Sequence, residues 1–98
     1  MTTLFDGDSI DAEFRAFDRS NPEVFRMYRD LAEKIRSQGW TRYSSDAILH
    51  RIRWHYHVEQ GNRDWKLNDH YTSRYARLLM DVDPSFRGFF ETRRLRAM

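Results

Sequence analysis

The sequence predicts an all-α fold, a compact bundle of about five helices. Apolar residues recur three and four positions apart over most of the chain, which is the period of a helix buried on one face. Only two Pro and four Gly occur in 98 residues, so helix breakers are few. Aromatic side chains make up 15% of the chain, and their bulk can fill the core of one small domain over residues 1–98.

The composition excludes several classes of protein. There is no Cys, which rules out disulfides and thiolate metal sites. No apolar run approaches the roughly 20 residues of a membrane span. The acidic start of the chain lacks the pattern of a secretory signal, so we expect a cytoplasmic protein that makes no membrane contact.

The first two helices are marked by their start signals. Residues 1–8 are expected to be a loose lead-in, and Asp8 or Ser9 can cap a short first helix. Its buried face would hold Ile10, Phe14 and Phe17. The second helix is predicted over 22–38, with Asn21 as the N-cap and Pro22 in the first turn, where proline loses no hydrogen bond. Gly39 then suits the C-terminal end of this helix.

The third segment, capped by Ser44 or Ser45, fits two periods. Ile48, Ile52 and Tyr56 form one face of a helix, whereas residues 52–59 also alternate in the manner of a strand. The strand alternative would pair with Trp65-Lys66-Leu67 as a hairpin at 52–67 and give a winged helix. The helix is preferred because its cap is good and the second strand would be very short.

Two further helices complete the bundle. After a polar loop at 60–67, Asn68 or Asp69 can cap a helix whose apolar face holds Tyr71, Tyr75, Leu78 and Val82. Asp83 followed by Pro84 repeats the cap-then-proline pattern and starts the last helix. Its apolar side would hold Phe86, Phe89 and Phe90. Residues 93–98 are expected to form a frayed basic tail.

Several blocks of sequence carry a family resemblance. They are KLNDHYTSRYARLLM, PSFRGFFETR, the upstream NPEVF, and IRW in the third segment. With these blocks the chain resembles a family of small proteins encoded by tailed phages and prophages, many of them in actinobacterial hosts. The resemblance implies a phage accessory protein acting in a bacterial cytoplasm, and it assigns no role to any residue.

The second and third helices, joined by a turn at Gly39, have the order of a helix-turn-helix core. Arginine and serine suit phosphates and base edges in a DNA groove. The candidate contact residues on and before the third helix are Arg42, Ser45, His50, Arg51 and Arg53, with Lys66, Arg74 and Arg77 as further backbone contacts. Residues 36–77 carry a net charge of +4, while residues 1–35 carry −3. DNA binding through a basic central helix is therefore one hypothesis, and a packing helix with solvated arginines explains the same residues.

The sequence offers no pattern typical of an enzyme. His50, His55, His57 and His70 lack the spacing of a helical metal pair, so no metal or other cofactor is expected. Asp81 and Asp83 are the only candidate pair of carboxylates for the metal ions of a nuclease, and a helix end with its following cap explains them better. We expect no catalytic residue.

The rival hypothesis is a module that binds or inhibits a host or phage protein. Aromatic residues and Arg are the usual anchors of protein interfaces, and the chain is rich in both. A continuous basic face would favour DNA, whereas an apolar patch rimmed by charges of both signs would favour a protein partner. A homodimer is compatible with either hypothesis.

Overall fold

The computed structural model describes residues 5–90, which contain four α-helices. They are α1 (Phe5–Ser20), α2 (Pro22–Ser37), α3 (Ser45–Trp54) and α4 (Thr72–Val82). A π-helical segment, His55–Glu59, continues α3, and single 3-10 turns occupy Asp69–Tyr71 and Pro84–Phe86. Within 5–90 there is no strand, only one isolated parallel bridge between Tyr43 and Phe90. The predicted all-α fold is confirmed, with four helices instead of five.

Helix α1 begins earlier than predicted. It starts at Phe5, so residues 5–8 belong to the helix and are not a loose lead-in. A capping residue marks one place where a helix can begin, but no proline separates Phe5 from Ser20, and a glycine in a helix costs only about 1 kcal/mol. The predicted tail at 93–98 lies outside the described residues.

Helix α2 confirms the predicted start and ends one residue early. Asn21 occupies the N-cap position, but its side-chain amide donates a hydrogen bond to the carbonyl of Phe17, 3.0 Å away, at the end of α1. Asn21 therefore closes the preceding helix instead of capping the one that follows. Gly39, with φ of +99°, turns the chain away after α2.

The hairpin alternative at 52–67 is wrong, because 52–59 is helical throughout. Ser44 caps α3 by accepting a hydrogen bond from the backbone N–H of Ala47 at 3.2 Å. Ile52 is buried and Tyr56 half-buried, whereas Trp54 and Val58 are exposed. Positions 52 and 56 share one face of the helix, and positions 54 and 58 share another. Because all four residues are apolar, the two faces together give the alternating sequence that also fits a strand.

The predicted last helix is reduced to one 3-10 turn, Pro84–Phe86. The Asp83 side chain caps it by accepting from the backbone N–H of Ser85 at 3.1 Å. Gly88 then adopts φ of +84°, which is outside the helical region, so the helix cannot continue through it. The carbonyl of Phe89 accepts from the N–H of Tyr43 at 2.8 Å, so this segment pairs with the loop before α3.

Helix α3 lies at the centre of the fold, packed on α2 on one side and α4 on another. Ile48, Leu49 and Ile52 supply its buried face. Aromatic rings fill much of the rest of the core: Tyr28 of α2 stacks on Tyr75 of α4 at 5.4 Å between ring centroids. Because α3 is held from both sides, its remaining face has a fixed orientation toward solvent.

Candidate interaction surface

The exposed side of α3 and of the π-helical segment forms a continuous stripe. Exposed residues recur every four positions, and Arg51 lies beside them. We call this surface the α3 face; its members are Asp46, His50, Arg51, Trp54 and Val58. The spacing follows from the helical period, since the opposite positions are those buried in the core.

The centre of the α3 face is apolar. Trp54 is 48% exposed and Val58 is 57% exposed, and they lie four positions apart where α3 becomes the π-helical segment. The guanidinium carbon of Arg51 lies 5.0 Å from the centre of the Trp54 ring, a cation–π contact. This contact orients the indole while leaving about half of it in water.

Charges of both signs surround this centre and are paired with one another. His50 Nε2 lies 3.6 Å from the Asp46 carboxylate, and Arg51 Nη1 lies 3.5 Å from Glu59 Oε1. His55 Nδ1 lies 2.7 Å from the same oxygen of Glu59, and this hydrogen bond lowers the pKa of the Glu59 carboxyl. The α3 face is therefore an apolar patch inside a rim of paired polar and charged groups.

Three of the residues predicted to contact DNA instead make hydrogen bonds to other parts of the protein. Ser45 is 4% exposed; its hydroxyl donates to the carbonyl of Thr72 at 2.8 Å and accepts from Tyr28 at 2.5 Å. Arg53 donates to Asp69 Oδ1 at 2.5 Å and to the carbonyl of Leu67 at 2.9 Å.

Arg74, the third of them, is similarly occupied. Its Nε donates to Asp11 Oδ1 at 2.8 Å, and its Nη1 donates to the carbonyl of His70 at 3.1 Å. Its side chain is only 18% exposed. Ser45, Arg53 and Arg74 thus stabilise the arrangement of helices, and a helix-turn-helix docked through Ser45 does not fit this geometry.

The remaining predicted contacts are exposed. His50 and Arg51 lie together on the α3 face, where each is paired with a carboxylate. Arg42, Lys66 and Arg77 are exposed and form no ion pair within residues 5–90. Arg42 belongs to the loop after α2, which lines a surface depression together with the 55% exposed Trp40.

Sequence reasoning missed Val58 and the acidic members of the rim as parts of one surface. The signal is the four-residue recurrence of positions 46, 50, 54 and 58, which the sequence-based prediction does not use because it follows only the apolar face at 48, 52 and 56 and the alternation over 52–59. No group of three or more potential metal-ligating His, Asp or Glu residues occurs in the described part of the chain. None of the helices formed by residues 5–90 is long and apolar enough to cross a membrane.

In comparisons with known proteins, no family model, no curated protein and no solved structure matches this chain.

Proposed function

We propose that the chain is a non-enzymatic protein-binding module and that a partner protein docks on the α3 face. The observation that carries the proposal is the half-exposed Trp54, held by Arg51 at 5.0 Å on the central helix of the fold. Trp and Arg are the residues most enriched at the energetic centres of protein interfaces. A rigid helix presents them without the entropic cost of ordering a loop.

The charge pattern favours a protein over duplex DNA at this surface. Arg51 and the His50 ring each already have a carboxylate neighbour, and Asp46 and Glu59 would lie close to any phosphate that approached. An apolar partner surface without strong charge would cover Trp54 and Val58 and leave the ion pairs at the wet rim. A second copy of the chain is one such partner, and the test below distinguishes it from a different protein.

The family resemblance supports a cellular context for this proposal. In that context the chain is a phage or prophage accessory protein that acts in the bacterial cytoplasm by binding a host or phage protein.

Site-specific photo-crosslinking tests the proposal. A benzophenone amino acid is placed at position 54 in one variant and at position 40 in another, and both are irradiated in cells of the native host. We expect one defined protein adduct at position 54 and not at position 40, identified by mass spectrometry. Equal adducts at both positions, or none at position 54, would contradict the proposal.

DNA binding remains a second candidate, supported by the exposed Arg42, Lys66 and Arg77. If these residues neutralise phosphates, fluorescence anisotropy with duplex DNA should show binding that weakens steeply with salt, and losing one contact should lower the salt slope by about one unit. The triple Ala variant should then abolish binding, whereas Trp54→Ala should not. Binding that is absent at low salt would rule this candidate out.

A further inference from the structure

A second exposed tryptophan, Trp40, lies in the loop between α2 and α3. Together with Gln38, Gly39, Thr41 and Arg42 it lines an open depression on the surface, which we call the Trp40 depression. Trp40 is 55% exposed, although most aromatic residues of the chain are buried or half-buried in the core. A ligand in solution can therefore reach the indole directly.

The loop that carries Trp40 is held at both ends. At its start the N–H of Gly39 donates to the carbonyl of Arg36 at 3.0 Å. At its end the N–H of Tyr43 donates to the carbonyl of Phe89 at 2.8 Å. The Tyr43 ring meets the Trp40 ring edge-on, with centroids 5.4 Å apart. The indole thus has a defined position before any ligand arrives, which lowers the entropic cost of binding.

The two segments that form and adjoin the Trp40 depression carry positive charge only. Residues 34–45 contain three cations and no Asp or Glu. Residues 84–90, which pair with the loop through the bridge between Tyr43 and Phe90, contain one cation and no Asp or Glu. An anion that approaches the depression therefore meets an attractive charge.

The cation in the depression itself is Arg42. It is exposed and forms no ion pair within residues 5–90. The other exposed tryptophan has different surroundings, because Arg51 beside Trp54 lies 3.5 Å from the Glu59 carboxylate. The two tryptophans therefore suit different ligands, and the Trp40 depression suits one that is both aromatic and anionic.

We propose that the Trp40 depression binds single-stranded nucleic acid, with one base stacked on the Trp40 indole and an adjoining phosphate paired with the Arg42 guanidinium. Every nucleobase has a π-face, so an exposed indole binds it without reading the sequence. A guanidinium pairs with phosphate oxygens through two parallel N–H groups. Bases of a duplex are already stacked on one another, so the indole favours a single strand. The site is separate from the α3 face and does not depend on its function.

The open form of the depression favours a strand over a free nucleotide. Pockets for small ligands enclose most of the ligand surface, whereas this depression leaves its occupant largely in solvent. A strand can pass across such a surface, and its further phosphates gain from the positive charge of the two segments.

The test is an NMR titration of the ¹⁵N-labelled protein with hexathymidylate at low salt. We expect saturable shifts of the Trp40 indole N–H and of the amides of 39–42, and no shift of the Trp54 indole. An abasic hexamer has the same phosphates without bases, a blunt duplex hides its bases, and thymidine monophosphate has a single base and phosphate. Each of these three controls should bind more weakly than hexathymidylate.

Variants separate stacking from charge. Trp40→Ala should weaken hexathymidylate binding by about tenfold or more, and Trp40→Phe, which keeps a ring, should recover part of the loss. Arg42→Ala should lower the slope of log affinity against log salt by about 0.7. Trp54→Ala and Arg63→Ala, at exposed residues outside the depression, are the matched controls and should bind as the unaltered chain does.

Three results would overturn the proposal, each obtained with variants whose spectra show the fold intact. The first is the absence of saturable shifts at the Trp40 indole. The second is binding of the abasic hexamer, the duplex or thymidine monophosphate as tight as that of hexathymidylate. The third is equal affinity of the Trp40→Ala and Trp54→Ala variants for hexathymidylate.

Discussion

Ser45 shows how the surroundings of one residue decide its role. At the start of a basic helix a serine suits a phosphate contact, yet here its hydroxyl joins three helices. It accepts from Tyr28 of α2 and donates to the Thr72 carbonyl of α4. Burial raises the pKa of Tyr28 well above its ordinary value, against the smaller lowering effect of its hydrogen bond to Ser45, so the phenol remains a donor in the folded protein.

Ser45→Ala should lower the free energy of unfolding by about 1–3 kcal/mol, because the Tyr28 hydroxyl is left buried without its partner. Tyr28→Phe removes the same bond but leaves Ser45 bonded to Thr72, so its cost from hydrogen bonding should be smaller. The double variant leaves no unpaired hydroxyl and should cost less than the sum of the two single changes. Urea unfolding measures all three, with the exposed Ser37→Ala as the control. Strict additivity would contradict this account of the network.

At the scale of the elements, Arg53 and Arg51 lie two positions apart on α3, but Arg53 connects two parts of the fold and Arg51 forms a surface ion pair. Arg53 is 24% exposed and connects α3 to the segment before α4 through Asp69 and the Leu67 carbonyl. Arg51 is 48% exposed, and its ion pair with Glu59 lies on the surface. Partly buried hydrogen bonds of a charged group stabilise a fold more than exposed ion pairs do.

Arg53→Ala should therefore reduce the free energy of unfolding by about 1.5–3 kcal/mol. Arg51→Ala should change it by less than about 1 kcal/mol, because water screens an exposed pair. Chemical denaturation of both variants under the same conditions makes the comparison. Equal and small effects would show that the contacts of Arg53 contribute nothing measurable to the fold.

The contacts of Arg53 and Arg74 show how far sequence could predict this molecule. Helical periods and caps predicted α2, α3 and α4, because those signals are local. The pairing of Arg53 with Asp69 and of Arg74 with Asp11 spans 16 and 63 positions, and no local pattern indicates such contacts. The prediction of a last helix was wrong for a related reason: the Phe89 carbonyl accepts a hydrogen bond from the backbone N–H of Tyr43, which is far away in the chain.

On the scale of the whole molecule, the tyrosine-rich core makes stability sensitive to high pH. Burial, with a further contribution from a hydrogen bond to Glu13, raises the pKa of Tyr71 to about 12. Burial likewise raises the pKa of Tyr28 and Tyr75. In each case the folded protein holds the phenolic proton more tightly than the unfolded chain does, whose tyrosines ionise near pH 10.

We therefore expect the contribution of these tyrosines to stability to be fully present below about pH 10 and lost progressively as the pH rises above it. Denaturant unfolding at several alkaline pH values should show a falling free energy of unfolding, and phenolate absorbance should rise together with loss of structure. Tyr71→Phe should give a shallower fall, since one shifted group is removed. A free energy of unfolding that stays constant well above pH 10 would contradict the burial of these hydroxyls.

The α3 face gives the molecule its one proposed protein-binding surface, and its energetic centre is Trp54. The most direct measurement is the dissociation constant of the purified complex with the cross-linked partner, compared for the unaltered chain, Trp54→Ala and Trp40→Ala. Both tryptophans are about half exposed, so both variants should fold, which circular dichroism verifies. We predict that Trp54→Ala weakens binding by about 30-fold or more, as expected when an anchor worth about 2 kcal/mol is removed, and that Trp40→Ala leaves it almost unchanged. Equal affinities of the two variants would contradict the assignment of the α3 face as the binding surface.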